Sequence, residues 1–195
     1  MPQPASGVTA FYLVMANRPN KDYVLATVMY GRSRAPGEDG KEVTRLAAAQ
    51  IEFFSRFRDG SQVCTDNGKD VPGFPSGPMS SVAKFPMIED AVKLYRVHRA
   101  LLEKHQGTST KFLRVDEFQG DVGAYLGQVV REQLDEKVTA GYFYFSEEEG
   151  VYRPTLKGAY LMTWRQLQPF KGISKTRIRS KALELMRELD ESPSS

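Results

Sequence analysis

A single cysteine, Cys64, in 195 residues rules out an intramolecular disulfide framework and any zinc site built from several thiolates. Histidine is almost as scarce. The two present, His98 and His105, are separated by two helical turns, or about 10.5 Å of rise, whereas a metal held by one helix needs ligands three or four residues apart. Each is therefore expected to pack its ring and hydrogen-bond a neighbour. Cys64 follows Val63 in a strand-like run with no base beside it, and reads as a buried, inert thiol. No apolar run approaches the roughly 18 residues that span a bilayer, and residues 1–7 lack the charged and apolar regions of a signal peptide. A cytoplasmic protein is expected. Also missing are the glycine-rich phosphate loops, the nucleophile elbow and the paired-histidine zinc helix. The sequence thus offers no catalytic residue, no metal ligand set and no cofactor, and Glu147-Glu148-Glu149 lacks the spaced oxygens of a calcium loop.

What is present is globular in character. Hydrophobic residues make up 41% and aromatics 11%, enough to build a core from one chain of this length. The net charge of +3 conceals a division. Between Arg153 and Leu183 there are eight basic side chains and no acid, whereas residues 1–152 carry 18 basic and 20 acidic groups. The positive field belongs to the C-terminal end. Arg165, Lys171, Lys175, Arg177, Arg179 and Lys181 are the candidate residues for binding a polyanion or a partner, and a solvated helix face is the alternative reading of the same charges.

Pattern divides the chain into an α+β order. The runs 11–16 and 23–30, separated by Asn17-Arg18-Pro19-Asn20, predict a hairpin, and Arg34–Gly40 reads as an exposed loop. Residues 42–50 suit either helix or strand. The alternation over 51–57, the Asp59-Gly60 pair and the run 61–66 predict a second hairpin with a two-residue turn. An antiparallel meander of about four strands is expected over 1–69. Six Pro and Gly residues between 70 and 86 predict a crossing segment without a regular element. From 87 to 190 the period is helical. One helix is expected over Ile88–His105 and another over Val122–Val138. A short hairpin follows, over Tyr142–Arg153. Thr155 is placed to cap a third helix, and a last one runs over Ser174–Leu189 with Ile173, Ile178, Ala182, Leu185 and Leu189 as its apolar stripe. Residues 191–195 read as a disordered tail.

The order helix, two-strand wing, then Tyr152-Arg153-Pro154-Thr155-Leu156-Lys157-Gly158 opening a helix resembles the end of a winged-helix domain in bacterial regulators. Three further pieces are similar to a loose group of bacterial proteins of unknown function. They are Phe57-Arg58-Asp59-Gly60 with Thr65-Asp66-Asn67, then Leu94-Tyr95-Arg96-Val97-His98-Arg99, then Arg153–Trp164. The winged-helix resemblance implies that the helix before the wing stands where a DNA-reading helix would. From Asp116 to Glu136 that stretch carries six acids and one base, Arg131. This is the wrong sign for a duplex. A non-enzymatic, protein-binding regulatory module is therefore expected, with nucleic-acid binding through the basic C-terminal segment, or an enzyme site assembled from distant residues, as alternatives. Tyr160, Leu161, Met162, Trp164 and Leu167 crowd one short helix and are expected to be sandwiched in the core. If exposed instead, Trp164 with Arg165, Phe170 and Lys171 would form an aromatic and basic edge suited to a protein partner or a peripheral membrane contact.

Overall fold

The computed structural model describes residues 7–17, 22–36, 42–46, 50–57, 59–106 and 121–191. The chain is an α+β fold: six strands form one sheet, and helices dominate the C-terminal half, with a separate two-stranded hairpin between them. β1 (Gly7–Asn17) and β2 (Asp22–Pro36) pair antiparallel from Gly7↔Arg32 to Asn17↔Asp22. The predicted first hairpin is therefore present, although its turn lies outside the described residues. β3 (Glu42–Leu46) and β4 (Gln50–Arg56) both pair with β2, at successive stretches of it, so the described part of the ambiguous segment is strand, and 47–49 lie outside the described residues. Of the loop expected over Arg34–Gly40, Arg34–Pro36 are instead the end of β2; residues 37–41 lie outside the described residues.

β5 (Gln62–Asp66) returns antiparallel to β4. The reversal is one residue longer than the two-residue turn expected at Asp59-Gly60. The Phe57 N–H donates to Ser61 O at 2.8 Å and the Gly60 N–H to Phe57 O at 3.1 Å, with Gly60 at φ +85°. Glycine supplies the left-handed position that closes this longer loop. A second correction concerns the Pro/Gly-rich segment, where Ser80–Lys84 forms β6 and pairs parallel with β5 at the sheet edge. Its prolines flank the strand and do not interrupt it, which an edge position tolerates.

The sheet uses both faces because alternate side chains along β2, β4 and β5 point opposite ways. On one face Val24, Ala26, Phe53, Ala83 and Phe85 meet Leu94 of α1 (Ala91–Gln106) and Ala182 of α4 (Phe170–Glu191). Nearby, Phe57 and Val63 pack on Leu102, two turns along α1 from Leu94. On the other face Leu25 and Phe54 meet Tyr125 and Val129 of α2 (Val122–Thr139). Asp121 caps α2 by accepting from the Ala124 N–H at 2.9 Å. β7 (Phe143–Ser146) and β8 (Val151–Pro154) then form the short hairpin, with Gly150 at φ +66° in its turn.

α3 (Leu156–Gln166) starts where the sequence predicts, and α4 starts four residues earlier than Ser174. Pro169 stands just before α4, where its missing N–H costs nothing, and Gly172 is accommodated within the first turn. Of the tail expected to be disordered over 191–195, Glu191 instead ends α4, and the rest lies outside the described residues. Among the described residues, no helix is long and apolar enough to cross a membrane.

Candidate functional site

Thr155, Lys157 and Gly158, singled out in the sequence, form a joint between helices. The Thr155 hydroxyl accepts the Gly158 N–H at 3.0 Å and donates to Gly141 O at 2.8 Å, while the Thr155 N–H reaches Tyr142 O at 2.9 Å. Lys157 Nζ donates to Ala140 O at 2.8 Å, neutralising the carbonyl end of α2, and stands 4.8 Å from the centre of the Tyr142 ring. These residues fix α3 against α2 and the hairpin.

From that joint α3 projects with little cover. Gly158 is its only buried residue, while Leu156 is 92% exposed, Tyr160 66%, Leu167 50% and Trp164 40%. The expectation that this helix lies within the core is overturned. The physical reason is placement: α1 and α4 take one sheet face and α2 the other, so α3 has no sheet to cover. Its aromatic side chains pack on one another and on the start of α4 instead, with Tyr160 and Trp164 stacked at 5.8 Å and Trp164 tilted against Phe170 of α4 at 4.0 Å between ring centres.

α4 buries Ala182 and half-buries Ile178, Leu185 and Leu189, as the stripe predicts, whereas Ile173 is about half exposed. Its cations point outward. Lys171, Lys175, Arg177, Arg179 and Lys181 form no ion pair with any described residue. The helix divides them. Arg177 and Lys181 join Arg165 around a cavity of about 310 Å³ beside β6 and the Pro72–Ser76 segment. Lys175 and Arg179 line another cavity with Lys69 on the opposite side, and Lys171 belongs to neither. Arg165 is held in place by donating from Nη1 to Pro72 O at 3.3 Å.

Two further sets of residues are assembled only by folding. The first is a buried network in which His98 on α1 meets the Ser55 hydroxyl through Nε2 at 3.1 Å and the Thr65 hydroxyl through Nδ1 at 2.9 Å. All three side chains are fully buried, and burial, reinforced by the Arg99 charge, lowers the His98 pKa to about 3. The imidazole is a neutral bracket joining β4, β5 and α1. His105, two turns on, packs its ring at a tilt against Phe57, 4.7 Å between centres.

The second set lies on the opposite sheet face, under an open cavity of about 490 Å³ lined by the Pro72–Pro78 segment and α2. Glu52, Cys64 and Asp66 bring potential ligand atoms within 4.8 Å of one another. Lys84 supplies the cationic partner, its Nζ lying 2.8 Å from Asp66 Oδ1, and the Gly68 N–H donates to the same oxygen at 2.7 Å. Burial and the Asp66 charge raise the Glu52 pKa. Burial, with Glu52 and Asp66, also holds the Cys64 thiol well above its ordinary range, so it stays protonated and poorly nucleophilic. Four strand positions separated by up to 32 residues carry no common sequence spacing, and only the cross-strand register Glu52↔Asp66↔Lys84 unites them. Comparisons of the chain with family models, with curated proteins and with solved structures find no match.

Proposed function

We propose that this chain is a non-enzymatic interaction or regulatory module that binds an acidic, amphipathic protein segment on the surface made by α3 and the adjoining start of α4. The observation that carries the reading is the uncovered apolar side of α3, anchored at Leu156, Tyr160 and Trp164, beside cations that no described acid balances. Exposed apolar surface of this density is a mark of an interface, and aromatic anchors ringed by basic groups are the composition of binding hot spots. The occupant follows from complementarity. A helix with leucines on one face and glutamates on its flanks would cover the aromatic ridge and meet Arg165 and Lys171. A protein partner is favoured over duplex DNA because α2, in the position before the hairpin, keeps carboxylates accessible that a duplex would repel: the Glu132 side chain is 43% exposed and Asp135 is exposed. Glu132 pairs with Arg56 at 2.6 Å, and Asp135 accepts from the Tyr152 hydroxyl at 2.9 Å.

A labelled synthetic helix of Leu and Glu on opposite faces tests this by fluorescence anisotropy. Binding should weaken as salt is raised, and Tyr160→Ala with Trp164→Ala should reduce it about thirtyfold or more, the effect of losing a hot spot of about 2 kcal/mol. Tighter binding to a DNA duplex or to anionic vesicles than to this peptide would overturn the reading, as would no peptide binding at all. A second reading, an enzyme using the cavity above Glu52, Cys64, Asp66 and Lys84, is favoured by the convergence of those polar groups in one cavity. It predicts loss of any measured turnover on Lys84→Met with the peptide affinity unchanged.

A further inference from the structure

We infer that the cleft between β6, the Pro72–Ser76 segment, α3 and α4 is a binding site for a phosphate monoester carried on a small apolar group. The cleft encloses about 310 Å³, at the lower end of the roughly 300–1,000 Å³ range of small-molecule sites. Its walls carry Lys84, Arg165, Arg177 and Lys181, with the Ser174 hydroxyl, and contain no carboxylate. Lys84 is already matched by Asp66 at 2.8 Å. Three unmatched cations therefore face one concave space.

Their arrangement suits phosphate better than other anions. Arg177 and Lys181 stand one turn apart on α4, with Ser174 a turn before, so all three project from one side of the helix. Arg165 approaches from α3, steadied by its bond to Pro72 O at 3.3 Å. A phosphate monoester brings a charge of about −1.5 to −2 and three acceptor oxygens, which two guanidinium forks and an ammonium can satisfy together. A carboxylate supplies only about half to two-thirds of that charge and leaves cations unmatched. Phe74, Ile178 and Leu185 provide apolar wall for the rest of the molecule. A duplex backbone presents its phosphates on a convex surface and would not enter a cleft of this size.

This site shares Arg165 with the α3 partner surface and is separable from it by the residues that only one of them uses. It needs Arg177 and Lys181, whereas the partner surface needs Tyr160 and Trp164. The helix also supplies its own control, because Lys175 and Arg179 point into a different cavity. Isothermal titration of the full chain with phenyl phosphate should show one saturable site per chain. Benzoate should bind at least tenfold more weakly. Arg177→Gln and Lys181→Gln should each weaken phenyl phosphate at least tenfold, while the Lys175→Gln, Arg179→Gln double variant should stay within twofold of the parent. Thermal melts would verify that each variant folds. A phosphotyrosine peptide in the same titration identifies the source: tighter binding than phenyl phosphate assigns the ester to a protein side chain, and weaker binding assigns it to a small metabolite. Absence of saturable phenyl phosphate binding would sink the proposal, and so would an equal loss in both pairs of variants, since diffuse electrostatics would then explain it. Loss of acidic-peptide binding with phosphate binding intact would count against the partner surface alone.

Discussion

With both ring nitrogens of His98 engaged by hydroxyls and its side chain fully buried, protonating the imidazole means placing a charge in a desolvated space near Arg99. The consequence is a dependence of stability on pH with a definite sign. The folded pKa, at about 3, lies below the ordinary value of 6.5, so the folded state favours the neutral ring. Its contribution is complete above pH 6.5 and is lost as pH falls toward 3, at up to about 1.4 kcal/mol per pH unit. Urea denaturation at a series of pH values should show this slope. His98→Gln should be less stable at neutral pH but shallower in slope by one proton, and an unchanged slope would show that other groups set the acid limit. The sequence made His98 legible as a packed, hydrogen-bonded helix residue. It could not show Ser55 and Thr65 as the partners, because these are 43 and 33 residues away.

At the scale of elements, the strongest local signal was also the most literal. Thr155-Leu156-Lys157-Gly158 marks a helix start in the sequence and is one in the structure, and every residue type has its use. A Cβ on Gly158 would stand 2.0 Å from the Tyr142 carbonyl oxygen, a backbone atom that cannot swing aside. On α2, by contrast, a Cβ on Gly127 would meet nothing within 4 Å. Gly158→Ala should therefore cost about 1–3 kcal/mol by forcing α3 away from the hairpin, whereas Gly127→Ala should gain about 0.5–1 kcal/mol. Paired thermal melts separate the two, and equal shifts would mean that α3 is not seated as described. Other elements were harder to read for physical reasons. Composition hid β6, because an edge strand of Ser80–Lys84 offers only Val82 and Ala83 as apolar residues. The apolar content of α3 looked like core because a sequence records what a helix carries and not what covers it.

Across the whole molecule, charge was legible as quantity and not as geometry. The basic C-terminal segment is real, but α4 parts its cations between two sides, and only the fold shows that Arg177 and Lys181 converge with Arg165 on the same cleft as edge strand β6. Likewise the polar face holding Glu52, Cys64, Asp66 and Lys84 exists only through strand register. Because these α4 cations are exposed and hold no described acid, replacing Lys175, Arg177, Arg179 and Lys181 together by Gln should leave Tm within about 4 °C of the parent, the shift expected of roughly 1 kcal/mol in a chain of this length. Calorimetry would check this, and a larger fall would show that the charges serve the fold.

The position of Ala182 also bears on how the chain is made. It is fully buried among Val24, Phe53 and Leu94, and Leu185 and Met186 pack at the margin of the same cluster. During synthesis the strands emerge first, and one face of their sheet waits, with α1 over only part of it, until the last helix leaves the ribosome. Translation delivers about 5–20 residues each second, so that face stays partly bare for several seconds at least. A chaperone that grips apolar segments would have its longest opportunity there, and a transcript truncated before α4 would yield a product that never closes its first core.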